Sequence, residues 1–137
     1  MAAAVVDAGP LIAVADANDP AHTQSLAALV RTDLQLVIPA LVVAEATYII
    51  GSRLGPREEA RFLRGLEPFD IAAPEPDDWS RIGELVEQYV DLPLGGADAS
   101  LVALAERVDA RTVITLDRRH FSVVRPRHCD AFELLPA

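Results

Sequence analysis

Two aspartates follow two apolar, strand-like segments that lie far apart in the chain. Asp7 comes directly after Val5 and Val6, and Asp117 comes directly after the apolar run 113–116. Because the carboxyl ends of parallel strands share one edge of an open sheet, where ligands bind, the two carboxylates could meet at that edge. Taken alone, each aspartate is explained at least as well as the start of a loop or the cap of the next helix.

A third acid, Glu45, lies on an apolar segment with helical spacing. Its neighbours three and four positions away are Leu41, Val42, Tyr48 and Ile49. A carboxylate on such a stripe needs a counter-charge, a proton or a metal ion, since burying a lone charge costs several kcal/mol. The alternatives are an arginine partner or a helix edge that faces solvent.

A fourth acid, Asp98, repeats this arrangement near the start of another predicted helix. It shares a helical face with Leu101, Val102 and Ala105, and the glycine pair 95–96 before it lets backbone or ligand approach closely. The helix dipole favours an anion in the first turn. A helix-start acid without any chemistry is therefore the alternative reading of Asp98.

Together the four acids are typical of a site for a hard cation. Mg²⁺ prefers oxygen ligands and takes one or two carboxylates directly, and two such ions suit in-line displacement at phosphorus. The chain lacks the sequence patterns of a calcium loop, a P-loop, a serine nucleophile elbow and an H-E-x-x-H zinc site. Cys129 is the single cysteine, which excludes an intrachain disulfide and a cysteine-rich zinc site.

Short apolar strands alternate with helices along the chain and would position these acids. Strands are predicted at 4–7, 36–38, 69–71, 112–116 and 132–134, and helices at 10–15, 20–31, 39–51, 57–66, 77–89 and 97–108. Gly51 is the expected end of the third helix, and Asp77 or Asp78 the cap of the fifth. The alternation favours an α/β fold whose mostly parallel sheet is covered on both faces.

Length and composition indicate one domain, 1–137, that is about half apolar and can bury a core. The net charge is −9, and all 12 basic residues are arginine. This balance argues against a protein that coats nucleic acid non-specifically. The N-terminus has no signal-peptide pattern, and the longest apolar stretch, 34–50, is interrupted and too short to span a membrane. We therefore expect a soluble, cytoplasmic protein with no membrane partner.

Four segments resemble the PIN-domain ribonucleases, and most closely the VapC toxins of bacterial toxin–antitoxin pairs. They are the early strand that ends in Asp7, the segment 39–45 (PALVVAE), the segment 96–107 (GADASLVALAER) and the segment 115–121 (TLDRRHF). The last two are specific in combination, and the resemblance extends over essentially the whole chain. It implies a PIN-like three-layer α/β/α sandwich.

The resemblance also implies what the acids do. Asp7, Glu45, Asp98 and Asp117 would form a site for Mg²⁺ or Mn²⁺, with Asp7 and Asp98 as direct ligands and the other two completing the site. The implied activity is endonucleolytic hydrolysis of RNA, and the implied partners are a VapB-type antitoxin and a second copy of the chain in a homodimer. Thr115 matches a position where the family commonly has a hydroxyl, which would hold the acids in place without binding the metal itself. A threonine chosen only because it is β-branched and suits a strand is an equally good explanation.

The sequence departs from the family pattern after Asp7, where Ala8 and Gly9 replace the usual Thr or Ser. Residues 107–127 carry a charge of +4 while the rest of the chain sums to −13. Arg118 and Arg119 directly follow Asp117 and are candidates for contact with RNA phosphates or antitoxin, the alternative being a solvated or salt-bridged face. His120 could be a general base, but the resemblance implies a helix turn that packs Phe121 there, and a hydrated metal ion needs no histidine base. His120 is therefore assigned to packing.

Two other functions remain open from the sequence. One is a PIN-like module that has lost catalysis and only binds RNA or a protein. The other is a metal-dependent phosphohydrolase that acts on DNA or small phosphoesters. Retention of all four acids argues against the first, and the absence of a D-x-D pattern at Asp7 argues against an aspartyl-phosphate version of the second.

Overall fold

Five parallel strands form the central sheet of the computed structural model, which describes all of residues 1–137. The strand order is β3-β2-β1-β4-β5, and every neighbouring pair is parallel. The strands are β1 (Ala2–Val6), β2 (Leu34–Pro39), β3 (Asp70–Ala72), β4 (Thr112–Ile114) and β5 (Glu133–Leu135). The predicted parallel sheet is therefore confirmed, and it contains no antiparallel pair.

Seven helices connect the strands. They are α1 (Ala8–Ala15), α2 (His22–Leu29), α3 (Ala40–Leu54), α4 (Pro56–Gly65), α5 (Asp78–Gln88), α6 (Gly96–Val108) and α7 (Arg118–Val123). The chain moves outward from β1 to β2 and β3, then crosses back to β4 on the other side of β1. Because crossovers between parallel strands are right-handed, this reversal puts α1–α4 and α5–α7 on opposite faces of the sheet. The result is the predicted α/β/α sandwich.

The reversal creates a switch point between β1 and β4, at the carboxyl edge of the sheet. In register, Val5 lies opposite Val113 and Val6 opposite Ile114. The Asp7 backbone N–H donates to the Ile114 carbonyl at 2.9 Å, so the pairing of the two strands continues to the residues that follow them. Ligand sites in open parallel sheets lie at such a point.

The core is built from β-branched strand residues and from one helix that is buried on nearly all sides. Residues 99–105 of α6 are all buried, and α6 packs against β1, β2 and α5. It also meets α3 of the opposite face, at the carboxyl edge of the sheet. Such an environment suits its small and apolar sequence, since each side chain must fit against a neighbouring element. The N-terminal turn of α6, which carries Asp98, is thereby held in a fixed position relative to the sheet.

One ion pair joins α5 to α6 with two nearly parallel hydrogen bonds. Arg81 Nε and Nη2 each donate to Glu106 at 2.8 Å, and the Arg127 backbone N–H donates to Glu106 at 2.8 Å. Burial alone would raise the pKa of Glu106, but the hydrogen bonds from Arg81 and Arg127 lower it overall. Glu106 thus also anchors the segment that follows α7.

Two boundaries of the predicted elements are wrong, and one predicted cap is confirmed in position only. The third helix does not end at Gly51; it continues to Leu54 and ends at Gly55, which has φ 92°. Strand β4 ends at Ile114, not at Leu116. Asp77 occupies the N-cap position of α5 but makes no capping bond, while Asp78 Oδ2 accepts the Glu75 N–H at 2.9 Å.

None of the helices combines the length and apolar character that a membrane crossing requires.

Candidate metal centre at the carboxyl edge of the sheet

All four predicted acids line one open cleft at the carboxyl edge of the sheet. Asp7 follows β1, Asp117 lies between β4 and α7, Glu45 lies in the second turn of α3, and Asp98 lies in the first turn of α6. The remaining lining residues are small or apolar, namely Ala8, Gly9, Ile12 and Leu116. Four separate segments therefore each contribute one carboxylate to a shared space.

Asp7 is the most buried of the four, at 6% exposure. It occupies the N-cap position of α1 without a side-chain capping bond, so capping does not account for it. Burial raises the pKa of Asp7, the hydrogen bond from Thr115 opposes this, and the nearby Asp117 charge adds to it. An ionised Asp7 therefore needs a positive partner in the cleft.

Thr115 connects the two aspartates that follow the strands. Its hydroxyl donates to Asp7 Oδ2 at 2.8 Å and accepts the Asp117 backbone N–H at 2.9 Å. The side chain is buried, at 1% exposure, so its polar atom must find partners within the protein. The hydroxyl thus fixes the position of Asp7 relative to the Asp117 backbone.

Asp117 also acts as a helix cap, as one reading of the sequence allowed. Its Oδ1 accepts the His120 backbone N–H at 3.0 Å, at the start of α7. Its second oxygen, Oδ2, lies 2.8 Å from His120 Nδ1. Capping therefore engages one carboxylate oxygen and leaves the other directed at an imidazole.

The assignment of His120 to packing is wrong. Phe121 fills the core and is fully buried, whereas the His120 ring lies in the acidic site. Its Nδ1 is 3.2 Å from Asp98 Oδ2, and its Nε2 is 3.1 Å from the Leu92 carbonyl oxygen. The sequence did contain a signal, because a residue three positions after a helix-capping Asp117 faces back toward that cap.

Asp98 and Glu45 differ in their surroundings. Burial, reinforced by the charge of Asp7, raises the pKa of Asp98 to about 6, although His120 opposes the shift. The pKa of Glu45 is raised by partial burial and by Asp7. The expected burial of Glu45 on an apolar stripe is wrong, because the buried stripe of α3 is Val42, Ala46 and Ile50, and Glu45 is exposed.

The donor set fits a divalent cation. Desolvation and mutual repulsion disfavour ionised carboxylates at Asp7, Glu45 and Asp98, and no arginine forms an ion pair with any of the four acids. An arginine partner, one alternative for Glu45, is thereby excluded. Carboxylate oxygens gathered without an arginine counter-charge are ligands that Mg²⁺ and Mn²⁺ accept.

The arginines of residues 107–127 divide into two groups. Arg107, Arg111 and Arg127 form ion pairs with carboxylates, as expected for a salt-bridged face. Arg118 and Arg125 donate only to backbone carbonyls, and Arg119 makes no hydrogen bond or ion pair through its side chain. The three guanidinium groups without a carboxylate partner thus lie on or just after α7, which begins next to Asp117.

The comparisons with known proteins agree with this geometry. The PIN domain profile matches residues 4–125. Ribonuclease VapC26 of Mycobacterium tuberculosis is 34% identical over 134 residues, which cover 96% of this chain and 99% of the relative.

Solved structures share the fold at lower identity. The M. tuberculosis toxin VapC20, described as cleaving the sarcin–ricin loop, has a TM-score of 0.73 at 15% identity, with 80% of this chain and 86% of that chain covered. VapBC2 from Rickettsia felis, bound to a promoter DNA fragment, has a TM-score of 0.69 at 16% identity, with 96% of each chain covered. Since the profile and the relative each extend over most of the sequence, the chain belongs to the PIN-domain family, within its VapC group.

Proposed function

We propose that the protein is a metal-dependent endoribonuclease that hydrolyses RNA phosphodiester bonds and acts as the toxin of a type II toxin–antitoxin pair. The observation that carries this proposal is the cleft in which Asp7, Glu45, Asp98 and Asp117 converge without an arginine partner. The relationship to a VapC ribonuclease over nearly the whole chain supplies the substrate class.

The four acids have different parts in this proposal. Asp7 and Asp98, the two more deeply buried carboxylates with raised pKa values, bind the ion, which we propose to be Mg²⁺ with Mn²⁺ as the alternative. Asp117 completes the site. A bound divalent ion would supply positive charge at the phosphate and a water of lowered pKa.

Glu45 is the acid best placed to handle a proton. It is exposed at the cleft and makes no hydrogen bond in the structure, so both of its oxygens are open to water. Its pKa is raised by partial burial and by Asp7, which makes the carboxylate a stronger base than an ordinary glutamate. We assign Glu45 to orienting the attacking water and accepting its proton.

Binding of RNA is assigned to two arginines beside the cleft that have no carboxylate partner. Arg118 and Arg119 directly follow Asp117 and are both exposed, so their guanidinium groups can reach phosphates beside the cleft. Arginine suits this contact because its planar group donates two hydrogen bonds to one phosphate. The net charge of −9 then limits binding to this local surface.

The proposed partners are a VapB-type antitoxin and a second copy of the chain. A chain of the VapBC2 structure from R. felis shares this fold, which supports an antitoxin partner. The antitoxin is proposed to hold the nuclease inactive, and the proposed location of the pair is the cytoplasm. Co-expression with the product of an adjacent reading frame should relieve toxicity and yield a stable complex. Analytical ultracentrifugation of the isolated protein should show a dimer.

The test of the nuclease activity uses purified, antitoxin-free protein and a broad RNA panel, with and without MgCl₂. We expect divalent-dependent cleavage that EDTA abolishes and that Asp98→Asn lowers by at least about 100-fold, since a lost ligand removes the stabilisation of charge at phosphorus. Asp70→Asn is the matched control, because Asp70 is an exposed acid on β3 outside the cleft.

The same panel separates the alternatives. Cleavage of DNA or of a small phosphoester in preference to RNA would indicate another phosphohydrolase. A protein that binds Mg²⁺ or RNA but cleaves no substrate would be a binding module. Either result, or an Asp98→Asn variant with undiminished cleavage, would overturn the proposed endoribonuclease activity.

A further inference from the structure

The His120 ring is held between one backbone carbonyl and two acids of the cleft. Nε2 lies 3.1 Å from the Leu92 carbonyl oxygen, while Nδ1 lies 3.2 Å from Asp98 Oδ2 and 2.8 Å from Asp117 Oδ2. The side chain is only 18% exposed, so water does not readily replace these partners. Each ring nitrogen therefore has a defined neighbour.

The carbonyl fixes the tautomer. A carbonyl oxygen only accepts hydrogen bonds, so the Leu92 contact requires a proton on Nε2 of His120. In the neutral ring, Nδ1 then carries a lone pair that points at two carboxylate oxygens. Three electron-rich atoms then face one another, so either a proton on Nδ1 or a metal ion must lie between them.

The spacing of the three donor atoms suits a metal ion. The ligating atoms of Asp98, Asp117 and His120 all lie within 4.8 Å of one another. Neighbouring ligands of an octahedral ion with bonds of about 2.1 Å are about 3.0 Å apart, and the two contacts of Nδ1 are 3.2 and 2.8 Å. Metal-bound histidines commonly donate their other N–H to a carbonyl, as His120 does to Leu92.

We infer that His120 is a nitrogen ligand of the metal centre, binding through Nδ1 together with Asp98 and Asp117. The inference rests on the proposed metal-dependent function and refines its cofactor. Imidazole ligands favour transition ions over Mg²⁺, and Mn²⁺ is the transition ion that also suits carboxylate ligands. The centre therefore prefers Mn²⁺ to Mg²⁺ by more than an all-carboxylate site would.

The test uses the metal-stripped full chain loaded with Mn²⁺. Electron spin-echo spectroscopy detects ¹⁴N directly bound to Mn²⁺, and calorimetry gives the affinities for Mn²⁺ and Mg²⁺. We expect ¹⁴N coupling in the wild type and its loss in His120→Gln, with Mn²⁺ affinity lowered about tenfold or more and Mg²⁺ affinity changed much less. His22→Gln is the matched control, because His22 also bonds a backbone carbonyl, that of Ala13, outside the cleft.

The outcomes are distinct. If Mn²⁺ binds but the wild type shows no ¹⁴N coupling, or if His120→Gln binds Mn²⁺ as well as the wild type, His120 does not ligate the ion and the inference is overturned. If neither ion binds, the metal-dependent function itself fails. The chain has three histidines, so if His120→Gln does not fold, retention of the coupling in both His22→Gln and His128→Gln assigns it to His120, and its loss in either overturns the assignment.

Discussion

Thr115 is a single hydroxyl on which the placement of two site acids depends. It donates to Asp7 and accepts the Asp117 N–H while almost fully buried. Thr115→Val keeps the shape but leaves the Asp117 N–H without its acceptor and Asp7 without its donor. Stability should fall by about 1–3 kcal/mol, and metal affinity should fall with it because Asp7 is no longer oriented.

Thr115→Ser is the control for this change, since it restores the hydroxyl and should recover most of the metal affinity. Urea unfolding and calorimetric titration of Mg²⁺ measure the two effects. A Thr115→Val protein with wild-type metal affinity would show that Thr115 is only a β-branched strand residue.

Asp98 makes the metal-free protein sensitive to pH. Burial and the charge of Asp7 raise its pKa in the folded protein from 3.8 to about 6. A raised carboxyl pKa means that the folded state binds the proton more tightly than the unfolded state does. Protonation of Asp98 therefore stabilises the fold fully below about pH 4, and this stabilisation is lost as the pH rises through about 6. Without metal, the free energy of unfolding of the wild type should therefore fall by about 1–3 kcal/mol between about pH 4 and pH 6.

Asp98→Asn removes this titration and should make the metal-free protein more stable than the wild type at pH 7, although it abolishes cleavage. The measurement is urea unfolding in EDTA between pH 4 and 7, with Asp70→Asn expected to follow the wild-type curve. Equal pH slopes for Asp98→Asn and the wild type would contradict the assigned origin of the shift.

At the residue scale, the sequence predicts which acids share the cleft. It predicts less well how exposed each acid is and which groups it contacts. Asp7 and Asp117 could be paired because they follow apolar strands, and parallel strands end at one edge. The exposure of Glu45 could not be predicted, because which side of an apolar helix faces the core depends on how α3 crosses its neighbours. Local spacing after Asp117 indicates that His120 faces the cap, but it cannot indicate the contact with Leu92, 28 positions away.

At the scale of elements, glycine explains where the prediction of α3 failed. Gly51 lies within the helix, where a Cβ atom would come within 2.6 Å of Glu59 Oε1. Glu59 of α4 accepts a hydrogen bond from Thr47 at 2.7 Å, so Gly51 leaves room for the Glu59 carboxylate against α3. Sequence alone cannot separate a glycine required for packing from one that ends a helix, since both are consistent with the same pattern.

Gly55 is the residue that ends α3, and its backbone has φ 92° and ψ 173°. This region is essentially restricted to glycine, so Gly55→Ala should destabilise the protein by about 1–3 kcal/mol and loosen the α3–α4 junction. Gly83→Ala in α5 is the opposite case, because a Cβ atom there meets nothing within 4 Å. Gly83→Ala should therefore stabilise the protein by about 0.5–1 kcal/mol, because alanine has a higher helix propensity than glycine.

Thermal or urea unfolding of both glycine variants gives the comparison. A Gly55→Ala protein as stable as the wild type would show that the junction tolerates another backbone conformation.

At the scale of the whole molecule, an acidic protein has to bind a polyanion. Of the arginines in residues 107–127, Arg107, Arg111 and Arg127 are occupied by carboxylates, and those on or near α7 are not. The free guanidinium groups lie beside the Asp117 end of the cleft, where a metal ion would offset the charge of the acids. Arg118 and Arg119 therefore place attraction for RNA phosphates at this edge of the sheet, beside the proposed metal centre.

The salt dependence of RNA binding tests this division of charge. Each phosphate contact to single-stranded RNA contributes about 0.7 to the slope of log affinity against log salt. Arg118→Ala/Arg119→Ala, in an Asp98→Asn background that prevents cleavage, should therefore have a slope shallower by about 1.4, measured with a labelled RNA between 50 and 300 mM KCl.

Arg111→Ala is the matched control, since Arg111 pairs with Asp109 at 3.6 Å just before β4, at the opposite edge of the sheet. Arg111→Ala changes the net charge of the protein by one but should leave the salt slope unchanged, because it removes no phosphate contact. If the double variant keeps the full slope but binds antitoxin more weakly, Arg118 and Arg119 contact the antitoxin, and RNA must be held by the metal ion and the cleft alone. The salt slope separates RNA contact from antitoxin contact because it depends on the number of phosphates that the protein neutralises and not on the total charge of the protein.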